Sequence, residues 1–150
     1  MISYDSKMIV LEARQKYFDE NNFGDGGYND KFLKAKLGPI PIYIPNTQNR
    51  LRGVKLHDLH HLATGYDTSL LGEAEISAWE MGAGGIGIYK TAILYVLLAI
   101  LTGLFISPRA VCRAYKRGKG SQNLFDIEFS DDLLSLTIKE LREKVQLKET

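Results

Sequence analysis

The chain has 150 residues, of which 45% are hydrophobic and 25% charged, and these are the proportions of an ordinary folded protein. Its length predicts a single domain, residues 1–150, that can bury a core. The one cysteine, Cys112, excludes an internal disulfide, and the residues at the N-terminus predict no signal or transit peptide.

The net charge of +1 hides an uneven distribution of charge along the chain. Residues 81–125 contain no Asp or Glu, and this stretch is first apolar and then basic. A basic cluster can bind nucleic acid, but no aromatic residues alternate with the cations here as stacking platforms. We therefore expect contact with a membrane surface and no binding of nucleic acid.

The first 50 residues divide into two predicted parts. Residues 1–38 predict two helices, Asp5–Asn21 and Tyr28–Lys36, separated by a Gly-rich loop. Residues 39–50 are rich in proline, and the alternate spacing of the prolines excludes a helix and a central strand. We expect an extended segment that leads into the core, residues 51–150.

The three histidines lie in the stretch His57-Asp58-Leu59-His60-His61, which is predicted to be helical. Side chains four residues apart share a helix face, so His57 and His61 are neighbours, and Asp58 lies about 100° round the helix. Gly65 predicts the end of this helix, and Thr68 or Ser69 predicts the cap of the next. The resulting helix hairpin would bring Glu73 back beside the histidines.

Two imidazoles and two carboxylates form a donor set for a divalent metal ion. We predict a metal site made of His57, Asp58, His61 and Glu73, with Zn²⁺ preferred over Fe²⁺ and Mn²⁺. The absence of Cys ligands favours a site with room for water or substrate over a closed structural site. His60 lies about 100° off the shared face, so we interpret it as a residue behind the ligands.

The stretch Thr91–Pro108 is uncharged over 18 residues and apolar all round. Its length is at the lower edge of what crosses a bilayer, so spanning is an alternative to a buried or membrane-apposed helix. A basic segment, Arg109–Lys119, follows, and a last helix begins at Ser130. The residues predicted to contact lipid are Ile93, Leu97, Leu101, Phe105, Arg109, Arg113, Lys116 and Arg117.

No strand signal of any length is evident, so we predict an all-α fold of five to six helices. Its centre would be the metal-binding helix hairpin, accompanied by one long apolar helix. We also expect a homo-oligomer that is associated with the cytoplasmic side of a membrane, peripherally in preference to spanning it.

The metal motif resembles the signature of the ubiquinone (coenzyme Q) biosynthesis protein family, specifically the fourth protein of that series. His57-Asp58, two residues, His61, eleven residues and Glu73 follow its spacing. The resemblance extends from about Ile40 to Leu147. It includes the flanks Thr64-Gly65-Tyr66, Leu71-Gly72, Ala78-Trp79-Glu80, Ser107-Pro108, the Gly/basic stretch 114–119, Asn123-Leu124-Phe125, and the closing helix 132–142.

The resemblance implies a protein that acts on a prenylated quinone precursor, at the ring carbon that loses its carboxylate and gains oxygen. It also implies association with other enzymes of the pathway at the membrane. The short connection between Pro108 and Ala114, and the proline segment, depart from the family pattern and suggest a divergent branch. Whether the chain catalyses the step or presents an isoprenoid lipid to a partner is left open.

Two other functions fit the same residues. One is a metal-dependent hydrolase of the His-Glu-x-x-His kind, with Asp58 in the position of the general base. The other is a small membrane or lipid-binding scaffold in which the metal site has no catalytic role.

Overall fold

The computed structural model describes residues 2–37, 40–87 and 92–147, and this part of the chain contains seven helices and one strand pair. The helices are α1 (Val10–Asn21), α2 (Gln48–Thr64), α3 (Leu70–Gly82), α4 (Ile93–Ile106), α5 (Pro108–Gly118), α6 (Asp131–Ser135) and α7 (Ile138–Lys144). The strands are β1 (Phe32–Leu37) and β2 (Ile40–Pro45). The predicted helical core is confirmed, although the number of helices is larger than five to six.

The strand pair corrects two predictions for the N-terminal third. The predicted helix Tyr28–Lys36 is wrong, because β1 occupies most of that stretch and pairs antiparallel with β2. The fold is therefore helical with an added hairpin, not purely α. The proline segment is extended as predicted, and its prolines are tolerated because both strands of a two-stranded sheet are edges. Residues 38–39, between the two strands, lie outside the described residues.

The start of α1 contacts the segment that follows α6, and this shortens two predicted helices. The first helix begins at Val10, not Asp5, because the Val10 N–H donates to the Leu136 carbonyl at 2.8 Å. The same contact interrupts the predicted last helix, which becomes α6 and α7. Thr137 and Glu140 form a capping box at the N-terminus of α7, where the chain becomes helical again.

The α2–α3 hairpin has the form that the sequence predicts. Thr47 caps α2 by accepting a hydrogen bond from the Arg50 N–H at 3.2 Å. Gly65 ends α2 with a positive φ of 79°, which is cheap only for glycine. Ser69 caps α3 by accepting a hydrogen bond from the Gly72 N–H at 3.1 Å. These local signals fix the turn that sets α3 against α2.

The core is built around α2 and α3, with Trp79 fully buried and α4 and α5 packed on α3. α4 has 14 residues, so the long apolar helix that the sequence predicts is shorter than expected. Its predicted first residue, Thr91, lies outside the described residues. No helix in the described part of the chain is long and apolar enough to cross a membrane.

Candidate metal centre

The α2–α3 hairpin brings His57, His61 and Glu73 together as the sequence predicts. The Nε2 atoms of His57 and His61 are 3.2 Å apart. The Glu73 carboxylate lies 3.5 Å from the Nε2 of His57 and 3.4 Å from that of His61. His61 is buried, whereas His57 and Glu73 are partly exposed. We call this group the histidine–glutamate trio.

Both imidazoles of the trio are held in orientation by a hydrogen bond at Nδ1, the ring nitrogen that faces away from the trio. The Nδ1 of His57 lies 2.7 Å from Glu80 Oε1, and the Nδ1 of His61 lies 2.8 Å from the Tyr66 carbonyl oxygen. Because a carboxylate and a carbonyl can only accept, each Nδ1 carries the proton and donates. In the neutral imidazoles, each Nε2 is therefore the unprotonated nitrogen.

This protonation pattern makes the trio suitable for a cation. Two nitrogen lone pairs and a carboxylate face one another at 3.2–3.5 Å, an arrangement that repels unless a proton or a metal ion lies among them. Two ligands of one zinc ion lie at most about 4 Å apart, since each bond is about 2.0–2.1 Å. The trio therefore contains side chains that could hold a metal ion.

Asp58, the fourth predicted ligand, is placed differently. Its carboxylate accepts a short hydrogen bond from the Tyr28 hydroxyl, and it does not belong to the trio. Burial raises the pKa of Asp58 above its ordinary value, although the hydrogen bond from Tyr28 opposes this. The structure gives three of the four predicted residues a common centre and directs the fourth toward the N-terminal segment.

Glu80 is the residue of the site that the sequence analysis missed. It is 1% exposed, and its Oε1 accepts hydrogen bonds from the Nδ1 atoms of both His57 and His60, each at 2.7 Å. His60 receives a hydrogen bond at Nε2 from the Leu124 N–H at 2.9 Å, so its Nδ1 must donate. The available signal was the seven-residue spacing of Glu73 and Glu80, which places both carboxylates on one face of α3.

The charges of the site shift its pKa values in opposite directions. Burial lowers the pKa of His57, but Glu80 and Glu73 outweigh burial and hold this pKa well above its ordinary value. Burial raises the pKa of Glu80, but His57 and His60 lower it overall to about 2. For His60 burial is the larger effect, and its pKa is lowered. Glu80 is thus an anion held between a readily protonated imidazole and a neutral one.

The trio borders a cavity of about 580 Å³. The walls are largely apolar, and the polar groups that reach it from the trio are His57 and Glu73, with Glu80 behind them. α4 supplies Tyr95 and Val96 to the lining of the cavity. The residues that line the cavity are Pro45, Thr47, Arg50, Gly53, Val54, His57, Glu73, Ser77, Glu80, Ile86, Ala92, Tyr95, Val96, Ala99 and Phe125.

Most residues predicted to contact lipid lie at the surface of α4 and α5. Phe105 is 94% exposed, and seven of the eight are exposed: Ile93, Leu97, Leu101, Phe105, Arg109, Arg113 and Lys116. Arg117 is the exception. Its Nη1 donates to the Thr64 carbonyl at 3.0 Å, and its guanidinium lies over the Tyr66 ring, so it ties α5 to the end of α2.

Comparison with known proteins does not identify a family for this chain. No family model matches the sequence, and no curated protein and no solved structure is significantly similar to it.

Proposed function

We propose that the protein is a divergent, metal-dependent member of the ubiquinone biosynthesis family that acts on a prenylated quinone precursor or presents it to a partner enzyme. One observation carries the proposal: His57 and Glu73 of the histidine–glutamate trio stand in the wall of a largely apolar cavity. A prenylated ring has a polar head and an apolar tail, and the cavity offers a surface for each. The spacing of His57, His61 and Glu73 adds the resemblance described above.

We infer that the trio binds a divalent ion, with Zn²⁺ preferred. Two imidazoles and one carboxylate leave a coordination position for water or substrate, which is usual in catalytic zinc sites. The same donor set also suits Fe²⁺ and Mn²⁺. When bound, the ion would polarise a phenol or carboxylate oxygen or lower the pKa of a water molecule. Glu80 and the Tyr66 carbonyl hold the imidazoles in the tautomer that binding requires.

We further propose that the outer side of α4 rests on an anionic membrane surface on the cytoplasmic side. Leu101 and Phe105 are exposed apolar side chains, and the following helix presents Arg113 and Lys116 to solvent. No acidic residue occurs between 81 and 125, so the charge of this region complements anionic lipid head groups. Because α4 also lines the cavity, a membrane-borne ligand would meet the cavity wall at the place of docking.

The test combines metal analysis with lipid analysis of protein purified in mild detergent. Wild type is compared with His61→Ala and Glu73→Ala, and Glu75→Gln on the same helix is the matched control. We expect about one equivalent of metal in wild type and in Glu75→Gln, and none in the two ligand variants, with unchanged helical circular dichroism. We also expect prenylated rings in the lipid extract and metal-dependent conversion, or transfer, of a prenylated quinone precursor.

Two results would overturn the proposal. Wild type that binds no metal after reconstitution with Zn²⁺, Fe²⁺ and Mn²⁺ would contradict the metal site. Protein that binds metal but neither copurifies with nor binds any prenylated ring would contradict the substrate class. Peptidase activity of the metal-loaded protein would point to the hydrolase instead.

A further inference from the structure

Arg50 is a cation in the wall of the cavity that the proposed function does not use. It lies on α2 seven residues before His57, and so about 10 Å along the helix axis. Both residues line the same cavity, which is otherwise largely apolar. The cavity therefore has a cationic end at Arg50 and a candidate metal centre at His57.

The Arg50 side chain is held in place by a neighbouring amide. Its Nη1 donates a short hydrogen bond to the Asn46 side-chain oxygen. The Asn46 amide nitrogen donates in turn to the carbonyls of Asp30, at 2.8 Å, and Gly27, at 3.3 Å, so the amide oxygen must face Arg50. A guanidinium fixed by a neutral partner keeps most of its donors for another acceptor.

Arg50 forms no ion pair with another residue in the described part of the chain. The first turn of α2 carries no acidic residue either, and a cation is unfavourable near the positive end of the helix dipole. Burial lowers the pKa of Arg50 as well. A half-buried cation in these surroundings would be stabilised by an anion.

We infer that the cavity binds an amphiphile whose carboxylate or phosphate group pairs with Arg50 and whose apolar part lies along α4 toward the trio. A guanidinium recognises both oxyanions through paired N–H donors, so the anionic group is common to the two ligand types. This inference rests on the proposed function in its presenting form, because an anionic group held at Arg50 lies about 10 Å from His57 and is not converted at the trio. It adds Arg50 as the residue that selects for charge.

The experiment compares three probes with the same alkyl chain: dodecanoate, dodecyl phosphate and dodecanol. Each displaces a fluorescent apolar dye from the full-length protein, in metal-free and zinc-loaded form, below the critical micelle concentration. The variants are Arg50→Gln and Arg50→Lys. Lys139→Gln, which removes an exposed cation on α7, is the matched control.

Metal-free wild type should bind at least one anionic probe about tenfold or more tightly than dodecanol, a difference of about 1.4 kcal/mol. Arg50→Gln should reduce that preference to about twofold or less, and Lys139→Gln should retain it. Arg50→Lys should give an intermediate preference, because an ammonium keeps the charge but lacks the paired donors of a guanidinium. The relative affinity of dodecanoate and dodecyl phosphate then assigns the head group.

Equal affinity for dodecanol and both anions in wild type would overturn the inference. So would a preference that survives in Arg50→Gln, or one that is seen only in the zinc-loaded form, since the anion would then bind the metal. If Arg50→Gln fails to fold, Arg50→Lys decides, because a preference as large as that of wild type would contradict recognition by the paired donors of Arg50. Failure to bind zinc would contradict the proposed function and leave the metal-free result intact.

Discussion

α3 and α4 pack against each other, yet they differ in which side chains are buried. α3 carries three glutamates and is mostly buried, with Glu80 among its least exposed residues. α4 has no charged residue, and only Val96 and Gly103 are buried. The more apolar helix is thus the more exposed one.

The comparison teaches that this fold buries a charged side chain where its hydrogen bonds are satisfied, and that an apolar side chain is not buried merely because it is apolar. Glu80 is buried because His57 and His60 donate to it, which removes the cost of hiding an unpaired carboxylate. α4 leaves residues such as Leu101 and Phe105 in solvent, and this exposed apolar surface is the one that we propose rests on a membrane. α3 contributes residues to the candidate metal centre, whereas α4 contributes residues to the exposed apolar surface.

Replacing Glu80 tests the buried side of the comparison and should have the largest effect. In Glu80→Leu the Nδ1–H groups of His57 and His60 lose their acceptor, so we expect a loss of about 3–5 kcal/mol in the free energy of unfolding. In Glu80→Gln the shape stays but the charge is lost, and metal affinity should fall about 10- to 100-fold. Urea unfolding and zinc titration measure the two effects.

The exposed Glu143 on α7 provides the control for the Glu80 variants. Glu143→Leu should change stability by about 0.5 kcal/mol or less. A Glu80→Leu protein as stable as Glu143→Leu would show that the buried carboxylate is not needed to hold the two imidazoles.

Widening the close contact between α3 and α4 should have the next largest effect on stability. A Cβ atom at Gly103 would collide with the side chains of Ala74 and Val111, so Gly103→Val must push α4 away from α3. We expect a loss of about 1–3 kcal/mol in the free energy of unfolding. Thr102→Val is the matched control, since it places the same side chain one residue earlier at an exposed position. Equal stability of the two variants would contradict the close approach.

The parts of the fold that could be predicted from the sequence rest on local signals. The spacing of His57 and His61, the glycine at position 65 and the cap at Ser69 predict the helix hairpin within a window of a few turns. Glu73 follows from that hairpin. These residues were predicted because each signal concerns neighbours in the sequence.

The parts that could not be predicted depend on contacts between distant segments. The sequence of β1 predicts a helix, and the segment is a strand only because it pairs with β2. The hydrogen-bond partner of Asp58 is Tyr28, which lies 30 residues earlier. The burial of Glu80 depends in the same way on the fold, because a glutamate in a helix is exposed unless something donates to it. Pairing of this kind carries no pattern in the local sequence.

Removing apolar side chains from the outer side of α4 tests the exposed half of the comparison. Leu101→Ser and Phe105→Ser should each weaken binding to anionic vesicles about 10- to 100-fold, because each buried side chain contributes about 1.5–3 kcal/mol. Neither should lower stability, since both side chains are already exposed. Leu11→Ser, at an exposed position on α1, is the control for vesicle flotation. Unchanged flotation of the α4 variants would contradict the docking surface.

The pH dependence of the metal-free protein examines the charges that α3 buries. The pKa of Glu80 falls from 4.5 to about 2, so its contribution to stability is complete above 4.5 and is lost as the pH falls toward 2. The pKa of His57 is raised, so its contribution is complete below 6.5 and is lost as the pH rises through the raised value. The two contributions together are therefore greatest between pH 4.5 and 6.5. His60, whose pKa is lowered, opposes the contribution of His57 below pH 6.5.

Metal binding provides a second test of the raised pKa of His57, because it should release the proton of that imidazole. A protonated His57 must release its proton to bind a metal, so zinc affinity should fall about tenfold per pH unit below the raised pKa. Calorimetry in buffers of different ionisation enthalpy counts the released protons. Zinc binding without proton release at pH 7 would contradict the raised pKa of His57.

The smallest effect concerns the cations beside α4. Arg113→Gln and Lys116→Gln should each reduce the free energy of binding to anionic vesicles by about 1 kcal/mol, and salt should weaken wild-type binding in the same way. Arg113 is well exposed and lies 3.7 Å from the partly buried Glu75, which makes a weak ion pair, so the loss of this pair should hardly affect stability. Lys139→Gln is the control. If wild type binds neutral and anionic vesicles equally and the two variants bind like wild type, the apolar residues of α4 act without these charges, and the surface is suited to a neutral apolar partner instead.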